Sequence, residues 1–227
     1  MSYTLITANR NYSSWSLRPW VLMKALGIAF TDRLESFAKP DNYADFRKFS
    51  PTGQVPVLLG GDVRIADSLG IALYLADRHP GVWPADEAAR VFAQGATCEM
   101  HGGFGHLRGE CTMNVGVRVK PKPMSAGLQR DVGRLREIFE AGLELFGGPW
   151  LAGAEFSAVD AFFAPVAFRI RTYGLDVGKG QAWVDHILAH PAMREWEAAA
   201  LAEEWREISH EAELAATGVI TADYRKR

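Results

Sequence analysis

Apolar positions fall in short runs and partial alternations through the first third of the chain. Thereafter they recur at three- and four-residue spacing. Tyr3 to Thr7 reads as a strand, residues 16–27 as a helix, 30–37 as a second strand, and 39–49 as a short helix with a loop. Val55 to Leu59 and Val63 to Ala66 flank the reversal Gly60-Gly61-Asp62 and predict a hairpin. Asp67-Ser68 opens a strongly apolar helix, Leu69 to Arg78. The order β-α-β-α-β-β-α is a small α/β layer. From Glu87 onward the pattern is helical, over about 87–110, 126–146, 158–173, 181–189 and 191–208. Ser157 to Asp160 has the form of a capping box, with Phe156 placed to staple it. The run Glu195 to Glu213 carries Trp196, Leu201, Trp205 and Ile208 at helical spacing and reads as one solvated amphipathic helix. The polar tail from Thr217 reads as loose.

The segment His79-Pro80-Gly81-Val82-Trp83-Pro84-Ala85-Asp86 divides these patterns. The chain is therefore expected to have an α/β domain over 1–79, a linker over 80–86 and an all-α domain over 87–227. With 227 residues, 48% hydrophobic and 23% charged, the composition is that of a globular protein with a substantial core. A net charge of −2 argues against a general nucleic-acid or anionic-membrane binder. No apolar run reaches the length of a membrane helix, the N-terminus lacks the build of a signal peptide, and two cysteines suit a reducing, cytoplasmic setting.

Candidate chemistry concentrates where the first strand meets the first helix, at Asn11-Tyr12-Ser13-Ser14-Trp15-Ser16-Leu17-Arg18-Pro19-Trp20. Ser16 is expected to cap the helix, and Pro19 is tolerated only that early. A helix N-terminus with spare donors favours an anion beside it, and the Ser13 hydroxyl adds one more donor. Three further features converge there. Pro56 marks a sheet edge, a strand start or a cis bond. Asp67-Ser68 begins a helix, ready for a ligand carboxylate. The helical domain supplies an apolar wall. Ser13 and Ser16 stand at the spacing of a Cys-x-x-Cys redox pair, and serine forms no disulfide, so any thiol must come from a ligand.

At these residues the sequence resembles the cytosolic glutathione S-transferase family, over nearly its whole length. Ser13-Ser14-Trp15-Ser16-Leu17-Arg18 is similar to the zeta-type motif, with Trp15 and Leu17 departing from it. The resemblance implies a thioredoxin-like domain followed by an all-helical one. It implies glutathione as co-substrate, Ser13 as the catalytic hydroxyl, and a cytoplasmic homodimer working in detoxification. Gln54-Val55-Pro56 resembles the family's cis-proline element, and Asp67-Ser68 the pair that holds the γ-glutamyl end. Ser14, Trp15 and Arg18 join the expected glutathione contacts, with Lys39 as a candidate basic ligand; an internal Arg18–carboxylate pair is the competing reading. His101, Phe104, Arg108 and Met113 are expected to bound the electrophile pocket. The expected reaction is conjugation of the glutathione thiolate to a small hydrophobic electrophile. The alternatives are a glutathione-dependent cis–trans isomerase of the maleylacetoacetate type and a non-catalytic ligand- or partner-binding protein. Cys98, His101, His106 and Cys111 do not share a helix face, and Gly102, Gly103 and Gly105 suggest close packing or a bend instead, so no metal is expected. Asp160 reads as a structural cap.

Overall fold

A computed structural model describes residues 2–37 and 41–226; the expected ligand Lys39 lies outside them. Four strands, β1 (Tyr3–Thr7), β2 (Phe30–Leu34), β3 (Val57–Gly60) and β4 (Val63–Ala66), form one mixed sheet in the order β2-β1-β3-β4. β1 runs parallel to β2, through the crossover helix α1 (Ser14–Ala25), and antiparallel to β3. The β3–β4 hairpin turns at Gly61, whose positive φ a glycine adopts without steric cost. Helices α2 (Tyr43–Phe46) and α3 (Ser68–Ala76) complete a thioredoxin-like layer.

The rest is mostly helical: α4 (Glu87–Gly102), α5 (Gly105–Glu110), α6 (Ala126–Phe146), α7 (Ala158–Tyr173), α8 (Gln181–Ala189), α9 (Pro191–Ala202) and α10 (Ile208–Thr217). α7 is the central shaft. It is apolar on nearly every face, and all its residues but Arg171 are buried, against α1, α4 and α8. α1 lies between the sheet and α7, which is why Leu17, Trp20, Val21 and Leu22 on different sides of it are all buried.

Asp160, entirely buried on the first turn of α7, ties three pieces of chain together. Its carboxylate accepts the Ser157 N–H (3.0 Å), the Leu151 N–H (3.0 Å) and the Trp183 indole N–H (2.9 Å). Burial pushes its carboxyl up to about 6, against the pull of those donors. This is the structural cap expected of it.

Several expectations are corrected. The first helix begins at Ser14, two residues early, and Ser13 rather than Ser16 holds the N-cap position. The helix expected over 87–110 breaks after Gly102, where Phe104 takes a left-handed conformation (φ 59°), so the glycine-rich stretch is a bend. The helix expected to reach 208 stops at Ala202. The tail is not loose. β6 (Gly218–Asp223) pairs antiparallel with β5 (Val117–Pro121), adding a two-stranded ribbon to the helical half. Gly218 permits that pairing: a Cβ there would lie 2.2 Å from the Lys120 carbonyl oxygen.

Candidate functional site

The turn that leads into α1 is held from the far end of the chain. Glu203, just past α9, accepts the backbone N–H of Arg10 (2.6 Å) and of Asn11 (3.4 Å). The Asn11 side-chain amide donates to the Ala200 carbonyl (2.5 Å), and the Trp196 indole N–H donates to the Arg10 carbonyl (2.9 Å). From the loop before β5, the Val115 and Gly116 N–H groups donate to the carbonyl and side-chain oxygens of Asn11. Tyr12 donates its hydroxyl to Glu211 (2.8 Å). Burial and that carboxylate raise the Tyr12 phenol well above its usual range, so it is a fixed neutral donor. The carboxylate-rich run is therefore not a solvated helix. It is two helices whose junction buries Glu203 against the turn and Glu207 against the Ser209 and His210 N–H groups.

On this turn Ser13 is nearly buried, and its hydroxyl donates to Ser16 Oγ at 2.7 Å; Ser16 Oγ also accepts the Ala8 N–H (3.2 Å). Ser16 is thus a buried partner of the Ser13 hydroxyl. Arg18, one turn on, is 0% exposed and has no carboxylate partner among the described residues. Its Nη1 reaches Ser68 Oγ at 3.4 Å, its Nε and Nη2 have no hydrogen-bond partner, and its guanidinium lies over the rings of Trp15 (4.1 Å) and Phe162 (5.0 Å). Desolvation, and the nearby Arg108 and Arg169, drive its affinity for a proton down. The expected internal Arg18–carboxylate pair is not formed. A buried cation with so little compensation is costly. Arg18→Met should therefore leave the melting temperature unchanged or raise it, as differential scanning calorimetry would show; a fall of several degrees would mean the ring contacts outweigh desolvation.

Ser13 opens onto a cavity of about 670 Å³. Ser14 and Trp15 share its wall, and so do Gln54, Val55, Pro56, Asp67 and Ser68 from the sheet side. The Val55–Pro56 bond is cis. Asp67 holds a positive φ of 80° and caps α3, its carboxylate accepting the Leu69 N–H (2.7 Å) and the Gly70 N–H (3.4 Å). A strained non-glycine backbone of this kind persists only where its surroundings fix it. Gly53 keeps the wall open beside α2, since a Cβ there would strike the Tyr43 ring at 2.5 Å. Arg108 and Met113 line the far side.

Three expected site residues are not on this wall. Arg18 lies beneath it. Phe104 is buried and packs edge-on against Phe163. His101 sits behind Trp15, its Nε2 3.5 Å from the Asp67 carboxylate, and desolvation lowers its pKa. The family resemblance implies a pocket wall at His101 and Phe104, but the break at Phe104 turns the chain so that Arg108 faces the cavity instead. Sequence reading missed Tyr12, Phe37, Thr112, Arg169, His210 and Glu213, which also line it. Arg169 and His210 belong to the far helices α7 and α10, where no local pattern points to a cleft.

The N-terminal domain model of the glutathione S-transferases matches residues 12–78, and the C-terminal domain model matches residues 125–199. The chain belongs to the glutathione S-transferase enzyme family. Among curated members, a zeta-class glutathione S-transferase of Euphorbia esula is 26% identical over 157 residues, 67% of this chain and 70% of that one. Glutathione S-transferase 1 of Dianthus caryophyllus is 25% identical over 172 residues, 74% of this chain and 78% of its own. Solved glutathione transferases share the fold. A homolog from Burkholderia GL BGR1 with bound glutathione superimposes with TM-score 0.66 at 19% identity, covering 88% of this chain and 98% of that one. A tau-class enzyme from mango, Mangifera indica, gives 0.68 at 18% identity, covering 94% and 97%.

Proposed function

We propose that this glutathione S-transferase joins the glutathione thiolate to a small hydrophobic electrophile, with Ser13 as the hydroxyl that stabilises the sulfur anion. The observation that carries the reading is the Ser13 hydroxyl at the mouth of α1, on the wall of a cavity that Pro56 and Asp67 also line. Residues 1–79 hold the tripeptide in this reading, 80–86 link, and 87–227 bound the electrophile. The sulfur lies against Ser13, with Ser14 and Trp15 beside it. The cysteinyl backbone lies along Gln54, Val55 and Pro56, and the γ-glutamyl end reaches Asp67 and Ser68. Arg18 acts from below through its charge rather than by direct contact. Arg108 and Met113 face the electrophile. As the family resemblance implies, the chain works as a cytoplasmic homodimer in detoxification.

Ser13 Oγ is close enough to Ser16 Oγ for the two hydroxyls to reverse direction. Once a thiol binds, Ser16 donates to Ser13 and Ser13 donates to sulfur, and each bond in such a chain strengthens the next. The experiment is calorimetric titration with glutathione, followed by conjugation to a panel of aryl halides and enones. Binding without turnover on the whole panel would favour a non-catalytic ligand binder. The zeta-class relatives favour a second reading, glutathione-dependent cis–trans isomerisation. Turnover of a cis-enedione acid with no net loss of glutathione would select it.

A further inference from the structure

We propose that His210 is an acid–base residue of the glutathione site, carrying the thiol proton to the α-carbon of an α,β-unsaturated ketone or aldehyde. This deepens the glutathione reading above and rests on it. His210 lies on α10, lines the same cavity as Ser13, and has a side chain 32% exposed. Its ring stacks with Tyr12 (centroids 5.1 Å, 22° apart) and with Phe37 (5.6 Å, 29°). Tyr12 is the neighbour of Ser13, so the imidazole stands against the turn that carries the catalytic hydroxyl. His210 Nδ1 is 2.5 Å from Glu207 Oε2.

Glu207 is well suited to orient the ring. Burial opposes its ionisation, but the backbone N–H groups of His210 and Ser209, the Ser209 hydroxyl and the His210 ring outweigh it and hold its carboxyl down at about 2. An anionic partner at Nδ1 fixes the proton on that nitrogen and leaves Nε2 with its lone pair free to accept. A histidine oriented by a carboxylate and standing on a cavity wall has the build of a general base.

The step balances without any further reactant. The glutathione S–H bond breaks, its electron pair stays on sulfur, and the proton goes to Nε2. The sulfur pair forms the C–S bond to the β-carbon, and the alkene pair moves to the α-carbon and carbonyl oxygen. The α-carbon then takes the proton back from Nε2, and the histidine returns neutral. Displacement of a halide has no such return step, so the device selects activated alkenes.

The test uses 3-methylbut-3-en-2-one, whose addition product gains a stereocentre at the α-carbon. Wild-type enzyme should deliver the proton to one face and give chiefly one epimer. His210→Phe keeps both ring stacks. It should bind glutathione within about two-fold of wild type by calorimetry, lose about 100-fold in kcat, and give the two epimers equally. An equal mixture from wild type, or an unchanged epimer ratio and kcat in His210→Phe, would overturn the proton role. Loss of glutathione binding in both His210→Phe and His210→Gln would overturn it in favour of a wall residue. Wild-type enzyme that conjugates glutathione while these outcomes fail leaves the family reading standing; wild-type enzyme that binds no glutathione defeats both.

Discussion

Ser13→Ala should raise the pKa of the bound glutathione thiol by about two units, and the loss of rate should depend strongly on pH. A free thiol with pKa near 8.5 is only a few per cent thiolate at pH 7. Lowering it by about two units takes roughly 2.7 kcal/mol of preferential anion stabilisation and raises the thiolate about 25-fold at that pH. The gain in rate is smaller, because nucleophilicity falls with basicity at a Brønsted slope near 0.4–0.5, about 6- to 10-fold over two units. The variant should therefore lose only about three-fold in kcat at pH 7, about ten-fold at pH 6, and nothing above about pH 8, where its more basic thiolate overtakes the wild type. Thiolate absorbance near 240 nm in the binary complex gives the pKa, and a pH series of kcat gives the crossover. A pH-independent loss would mean that Ser13 orients the sulfur rather than charging it. An unchanged profile would remove Ser13 from the chemistry. In the proposed conjugation the remaining acceleration would come from holding the electrophile against the sulfur and stabilising the charge that develops on it, a task the proposal gives to the helical wall.

Asp160→Ala is expected to have the largest effect on stability, about 3–5 kcal/mol, because it leaves three buried donors without an acceptor. The Leu151 and Ser157 N–H groups and the Trp183 indole all lose their partner, and the start of the central helix loses its anchor to the 150s loop and to α8. For a chain of this size that lowers the melting temperature by roughly 8–15 °C. Asp160→Asn keeps acceptor capacity and should cost less. The two differ in pH dependence. The folded-state carboxyl is raised from 3.8 to about 6, so its contribution is present below pH 4 and is lost as pH rises through 6. The gap in melting temperature between wild type and Asp160→Asn should therefore narrow from pH 4 to pH 7. A gap that widens would mean the three donors keep the carboxylate ionised throughout.

What the sequence made legible was what is local. The α6 range, the β3–β4 hairpin, the Asp67 cap and the Ser157–Asp160 box each rest on residues within one turn or one reversal of each other. What stayed hidden depended on distant partners. Val117 and Val119 alternate with polar residues, yet the strand they belong to pairs with one about 100 residues later, and no turn signal joins them. Glu203 and Glu211 look like solvated charges until Arg10, Asn11 and Tyr12 come alongside. Likewise Ser13 as N-cap in place of Ser16 reflects the turn being pulled into place by Asn9, whose carbonyl accepts the Tyr12 and Ser13 N–H groups, rather than a side-chain preference. Among the described residues, no helix is long and apolar enough to cross a membrane, in line with the composition.

The hold of Glu203 on Arg10 spans 193 residues. A nascent polypeptide emerges amino end first, and its early segments fold as they appear. The four-stranded sheet is complete by Ala66, yet the turn that carries Ser13 waits for its fastening until synthesis has almost ended. On the proposed role of Ser13, a chain cut short before residue 203 would keep the four-stranded sheet and lose the fastening of this turn.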